Sequence, residues 1–140
     1  MTNFSFPVRI YIEDTDAGGI VYYANYLRYM ERCRSEWLRQ CGVSQEILRH
    51  QDILFVVAEA ALKYHRPARL DEALEVTLTV TDMGKARLRI CHEVFRLGED
   101  APQLLVTGTV TVACMSAAGK PKAIPAEVRE KIDYTDRQSG

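Results

Sequence analysis

Glu13-Asp14-Thr15-Asp16-Ala17-Gly18-Gly19-Ile20-Val21-Tyr22-Tyr23-Ala24-Asn25-Tyr26 lies where two runs of different period meet. Upstream, Val8, Ile10 and Ile12 alternate with Arg9, Tyr11 and Glu13, the two-residue period of a strand. Downstream, Tyr23, Tyr26, Leu27, Met30, Cys33, Trp37, Leu38 and Cys41 recur at helical spacing. Between them stand two carboxylates, Asp14 and Asp16, and then Gly18-Gly19. The order is therefore strand, acidic glycine turn, helix. It brings a carboxylate close to the free N–H groups of a helix start. That pairs a base or nucleophile with a stabiliser of a developing oxyanion, the two halves of a hydrolytic site.

Working outward, the first strand is expected over residues 6–13 and the helix from Tyr23 to Cys41, with Gly42 as its stop. Arg28, Arg32, Ser35 and Arg39 mark the polar side of the helix. Ser44 caps a short second helix through Glu46, Ile47 and Leu48. A long, largely buried strand follows, from Ile53 through Leu62 and Tyr64, and Pro67-Ala68-Arg69-Leu70-Asp71 breaks it. Three more strands are expected at Glu75–Thr81, Arg87–Phe95 and Leu104–Cys114. In the first, Val76, Leu78 and Val80 oppose the threonines; in the second, Leu88, Ile90, His92 and Val94 share a face. In the third, Leu104, Val106, Gly108, Val110 and Val112 do so. Pro125 opens a terminal helix over Ala126–Ile132, leaving residues 135–140 as a frayed tail. One strand, a long helix and four further strands fit an α+β fold: a five-stranded antiparallel sheet wrapped around the long helix, as one domain over residues 1–134.

Composition removes several classes of function. The 140 residues are 47% hydrophobic, enough for a real core. A net charge of −1 gives no overall attraction to nucleic acid, and no basic stripe with interleaved aromatics appears. No apolar run is long enough to cross a membrane. Met1-Thr2-Asn3-Phe4 lacks the charged start and apolar core of a signal peptide, which points to the cytoplasm. Cys33, Cys41, Cys91 and Cys114 form no C-x-x-C pair and no zinc-ligand set, and read as small buried hydrophobes in a reducing compartment. No metal and no cofactor is expected, for there is neither a Walker motif nor a dinucleotide fingerprint.

From spacing alone, Asp14 and Asp16 suit a turn. The adjacent glycines move the balance toward chemistry, because a residue without Cβ lets backbone N–H groups approach a substrate oxygen. One carboxylate can then face a cleft while the other braces the turn. His50, His65 and His92 have no partner at metal or triad spacing and read as structural or surface residues. Basic residues gather at Lys63, His65, Arg66 and Arg69, at Lys85, Arg87 and Arg89, and at Lys120 and Lys122. Each cluster is an ordinary solvated face unless it borders a cleft, where it could hold a phosphorylated carrier.

The stretch from Glu13 to Tyr22 closely resembles the signature of hotdog-fold thioesterases related to 4-hydroxybenzoyl-CoA thioesterase, and within them the Tol–Pal-associated acyl-CoA thioesterases. The likeness continues through Asn25-Tyr26, Tyr29-Met30-Glu31-Arg32, the Tyr64-to-Asp71 segment with its Pro67-Ala68-Arg69, and the closing Lys120-Pro121 with Ile124-Pro125. It implies the hotdog fold and hydrolysis of acyl-CoA thioesters. It also implies a homodimer joined edge to edge, or a homotetramer, with active sites at the dimer interface. On this sequence the catalytic carboxylate falls on Asp16, the oxyanion donor on the backbone N–H of Tyr23, and Asp14 is a support. Gly18, Gly19, Tyr22, Asn25 and Tyr26 line the substrate groove, and Arg66, Arg69 and Arg87 are candidates for the coenzyme A phosphates. Tyr23 is a departure, since many members of the Tol–Pal-associated branch carry histidine there. Asp16 could attack the thioester carbonyl itself or activate a water. An acyl carrier protein thioesterase and a non-catalytic acyl-binding or scaffold protein are the alternative readings.

Overall fold

The computed structural model describes residues 4–139. Met1–Asn3, on which the signal-peptide reading rests, and Gly140 lie outside the described residues. Five strands, β1 (Phe4–Arg9), β2 (Leu54–Tyr64), β3 (Ala73–Met83), β4 (Arg87–Arg96) and β5 (Gln103–Met115), form one antiparallel sheet in the order β1-β3-β4-β5-β2. Three helices accompany it: α1 (Asn25–Gln40), α2 (Gln45–His50) and α3 (Ala126–Ser139). The sheet curls around α1. Tyr26, Tyr29, Met30, Cys33, Trp37 and Leu38 of the helix are buried against Leu74, Val76, Leu78, Ile90, Val94 and Val110 of the sheet. The helix seats closely on β5 at Gly108: a Cβ built there would lie 2.7 Å from the Met30 Cε. The expected alternation of β3 and β4 holds, with Val76 and Leu78, and Leu88, Ile90, His92 and Val94, turned inward.

Several boundaries differ from the sequence expectation, each for a local reason. β1 ends at Arg9, and the chain passes into a 3-10 turn at Ile12–Asp14 instead of remaining extended to residue 13. Ile10 is still buried, tied by its N–H to Glu72 O at 3.0 Å and by its carbonyl to Asp71 N at 2.9 Å. Ile12, which continues the alternation in sequence, is 76% exposed. α1 begins two residues later than expected, at Asn25, after a turn at Tyr23-Ala24. The cap of α2 is as expected, with Ile47 N donating to Ser44 Oγ at 3.2 Å. β2 is not largely buried. Most of its residues are exposed, because the strand lies at the sheet edge and strand order is not written in local periodicity. On β5 the inward residue is Leu105, not Leu104, since a register shift opposite Val94-Phe95 turns the end of the strand over. α3 continues to Ser139, past the expected end at Ile132 and over most of the segment read as tail. No proline or glycine after Pro125 interrupts it before Gly140, and Val128 and Ile132 anchor it in the core.

The cysteines are free. Burial pushes the Cys33 thiol up to about 12 and raises Cys41, Cys91 and Cys114 as well, which keeps them as unreactive thiols. Among the described residues no group of three potential metal ligands converges, and no helix is long and apolar enough to cross a membrane.

Candidate active site

The chain between β1 and α1 folds into two consecutive turns that use their carboxylates differently. In the first, Asp14 faces back toward the protein. Its Oδ2 accepts from Tyr11 N at 2.8 Å and its Oδ1 from Asn25 Nδ2 at 3.2 Å. Its backbone carbonyl accepts from Tyr22 N at 2.9 Å. Asp14 thus ties the end of the 3-10 turn to the first residue of α1. The buried Tyr29 hydroxyl lies close by, raised from its ordinary range by burial first and by the Asp14 carboxylate second.

In the second turn, Asp16 N donates to Ile20 O at 2.9 Å and Gly19 N to Asp16 O at 3.0 Å, closing a three-residue hairpin loop of Ala17, Gly18 and Gly19. Gly19 has φ +79°, the left-handed conformation that such a loop needs at its last residue. Thr15 and Val21 pair across the base of this loop, and Ile20 pairs with Arg69. Asp16 Oδ1 accepts from Gly18 N at 2.8 Å, an Asx turn that fixes the side chain while leaving it exposed.

At the helix entrance, Tyr22 N is taken by Asp14 O and Asn25 N by Tyr22 O. Tyr23 N has no acceptor among the described residues, and Ala24 at the N-cap offers no side-chain oxygen in its place. The start of α1 therefore presents an open N–H beside an exposed carboxylate turn. A helix end of that kind stabilises negative charge.

The other predicted site residues occupy distinct positions. Gly18, Gly19, Tyr22 and Tyr23 are exposed. Tyr26 is 2% exposed, its ring in the core and its Oη accepting from Ala68 N at 3.2 Å. The Asn25 amide is engaged in the Asp14 brace. Tyr64 was missed as a site residue. Its hydroxyl donates to Tyr23 O at 3.0 Å and its ring meets Tyr23 and Tyr26, so the end of β2 holds the helix entrance in place. Its place at the head of the Tyr64-to-Asp71 segment of the family likeness was the available signal. Arg66 and Arg69 lie at this same end: Arg66 N donates to Leu105 O at 3.1 Å and Arg69 N to Glu72 Oε1 at 2.7 Å. Arg87 does not join them. It stands opposite Ala113, which stands opposite Val56, at the far end of β2 from Tyr64. Eight residues of strand make that separation roughly 25 Å.

The sequence profile of the thioesterase-like superfamily matches residues 10–132 of this chain. The chain is 41% identical over 133 residues to the acyl-CoA thioesterase YbgC of Haemophilus influenzae, covering 94% of this chain and 95% of that protein. It is 38% identical over 128 residues to the acyl-CoA thioester hydrolase YbgC of Escherichia coli O157:H7, covering 91% and 93%. A probable thioesterase from Bartonella henselae superposes with a TM-score of 0.76 at 33% identity, covering 88% of this chain and 98% of that one. A 4-hydroxybenzoyl-CoA thioesterase mutant complexed with 4-hydroxybenzoyl-CoA superposes with a TM-score of 0.84 at 20% identity, covering 93% and 98%, a likeness of fold.

Proposed function

The chain belongs to the thioesterase-like superfamily, and from that premise we propose that it hydrolyses acyl-CoA thioesters with Asp16 as nucleophile or general base. The observation that carries this reading is the division of labour at the turn. Asp14 is occupied by the fold, whereas Asp16 is fixed through one oxygen and exposed. A thioester carbonyl placed beside it could be attacked directly, giving an acyl-enzyme anhydride that water then opens, or by a water that Asp16 deprotonates. In either route, the Tyr23 N–H and the α1 dipole stabilise the oxyanion that forms on the carbonyl oxygen. Gly18, Gly19 and Tyr22 border the reacting group, while Asn25 and Tyr26 support it from behind.

The working unit in this reading is a homodimer. β2 offers an eleven-residue open edge, and Tyr22, Tyr23, Leu27, Val57 and Tyr64 leave large apolar surface exposed around it. Antiparallel pairing of two β2 edges about the middle of the strand lays the Tyr64 end of one copy beside the Leu54 end of the other. Arg87 of one copy then approaches the end that carries Arg66 and Arg69 in the other. This removes the roughly 25 Å separation within one chain and gathers guanidinium groups suited to the phosphates of coenzyme A. Free thiols throughout are consistent with a cytoplasmic enzyme.

The test is a hydrolysis screen over acyl-CoA chain length, aromatic CoA esters and acyl carrier protein esters, with wild type and Asp16→Asn side by side and the association state measured by sedimentation. Hydrolysis of CoA esters by a dimer, lost in the folded variant, supports the reading. Activity confined to the carrier-protein esters would move the substrate class. A stable, active monomer would remove the shared site.

A further inference from the structure

A pocket of about 350 Å3 opens between the second half of α1 and the Phe55–Val57 end of β2. Trp37, Leu38, Phe55, Leu88, Ile90 and Val112 make its wall largely apolar. Arg34 enters the same wall, and the exposed Glu31 stands one helical turn before it. Arg34 Nη1 lies 3.0 Å from His92 Nε2, and His92 Nδ1 lies 2.8 Å from Thr77 O. A carbonyl only accepts, so Nδ1 carries the imidazole proton and Nε2 accepts from the guanidinium. His92 is therefore neutral. Burial, opposed by the Thr77 hydrogen bond and aided by Arg34, holds its pKa down to about 4. Among the described residues Arg34 has no carboxylate at ion-pair distance. Buried charges are ordinarily paired, because a cation removed from water needs an anion facing it. Here a half-buried guanidinium stands in a largely apolar wall, hydrogen-bonded to a neutral imidazole, with the exposed Glu31 carboxylate acting on it only from beyond ion-pair distance.

We propose that Arg34 makes this pocket the seat of a short acyl group that ends in a carboxylate. The inference rests on the acyl-CoA thioesterase reading and names a substrate class for it. The methylene chain lies on the apolar wall, and the terminal carboxylate meets the guanidinium fork, a geometry that favours paired, charge-assisted hydrogen bonds. The volume is near the lower end for small-molecule pockets, which suits a short chain. His92 orients Arg34 without adding a charge that would compete for the ligand. Within one chain this pocket and the Asp16 turn sit at opposite ends of β2. Under the proposed β2 pairing, the thioester carbonyl of a bound group meets Asp16 of a second copy.

Glutaryl-CoA and valeryl-CoA form the matched probe pair, differing in whether the chain ends in a carboxylate or a methyl group. Wild-type kcat/KM should favour glutaryl-CoA by at least about tenfold, the scale of one charge-assisted hydrogen bond. Arg34→Gln keeps a donor for His92 and should abolish that preference by lowering the glutaryl value alone. Glu31→Gln, which removes the carboxylate beside Arg34, should raise the ratio of glutaryl to valeryl kcat/KM about threefold. Calorimetric binding of both esters to Asp16→Asn reads the preference without hydrolysis. If wild type cleaves neither ester but this variant still binds glutaryl-CoA preferentially, the hydrolysis reading fails and the Arg34 assignment stands. Equal kcat/KM and equal affinity for the two esters overturn it, as does an Arg34→Gln loss that falls on both alike. If wild type shows no preference and Arg34→Gln weakens the dimer, the counter-charge belongs to the second copy and the proposal is likewise overturned.

Discussion

The 3-10 turn at Ile12–Asp14 and the hairpin loop at Asp16–Ile20 are adjacent, each has an aspartate, and each is closed by backbone hydrogen bonds. They differ in what the aspartate holds. Asp14 joins Tyr11 on one side to Asn25 on the other, linking the start of the 3-10 turn to the helix entrance. Asp16 holds only its own loop, through Gly18 N. A carboxylate that ties two elements together is part of the fold and is not free to react. One held by a neighbour two residues away is positioned without being consumed. The two-residue spacing lets a single short segment supply both.

The comparison breaks most sharply at Asp16. Asp16→Asn should reduce hydrolysis at least about 100-fold, roughly 2.7 kcal/mol in the barrier, with an unchanged urea midpoint. A folded variant with near-normal turnover would show that both aspartates are only braces. Asp14→Ala should do the reverse in emphasis. It strands the Tyr11 N–H and leaves the Asn25 amide only the Asp14 backbone carbonyl, and should lower stability by about 2 kcal/mol, the range for hydrogen bonds to a charged group. Activity should fall less than in Asp16→Asn, because the loop that holds Asp16 closes independently. An unchanged urea midpoint in Asp14→Ala would erase the distinction between the two turns.

Much of this was legible in the sequence because the signals are local. Two carboxylates, two glycines and a change of period from two to three-and-a-half mark the turn, and alternation marks the inward faces of β3 and β4. The Ser44 cap is a local signal as well. What stayed hidden depends on strand order and distant pairing. β2 carries a hydrophobic run that reads as buried, yet it lies at the edge. Tyr64 meets Tyr23 across 41 positions, and His92 meets Arg34 across 58. Leu104 and Leu105 exchange roles because of one register shift, which alternation cannot foresee. The open N–H of Tyr23 also emerges only when the neighbouring N–H groups are each assigned an acceptor.

The two glycines sharpen the comparison within the Asp16 loop. Gly18→Ala adds a Cβ at 3.2 Å from Asp16 Oδ1 with no unusual backbone angle to relieve it. The carboxylate must shift, so the effect should appear in kcat, about tenfold, since small misplacements of a reacting group carry large rate penalties. The melting temperature should hardly change.

Gly19→Ala is the smallest expected effect and the reverse case. Nothing lies within 4 Å of a Cβ built at Gly19, but φ is +79°. The penalty is conformational, about 1 kcal/mol for a non-glycine residue in the left-handed region. It should appear as lower stability in urea, with the Asp16 carboxylate still held by Gly18 N and kcat within about twofold of wild type. If Gly19→Ala instead lowers kcat as much as Gly18→Ala while stability holds, the loop does not position Asp16 through the Gly18 contact alone. Its left-handed residue would then belong to the catalytic geometry as well.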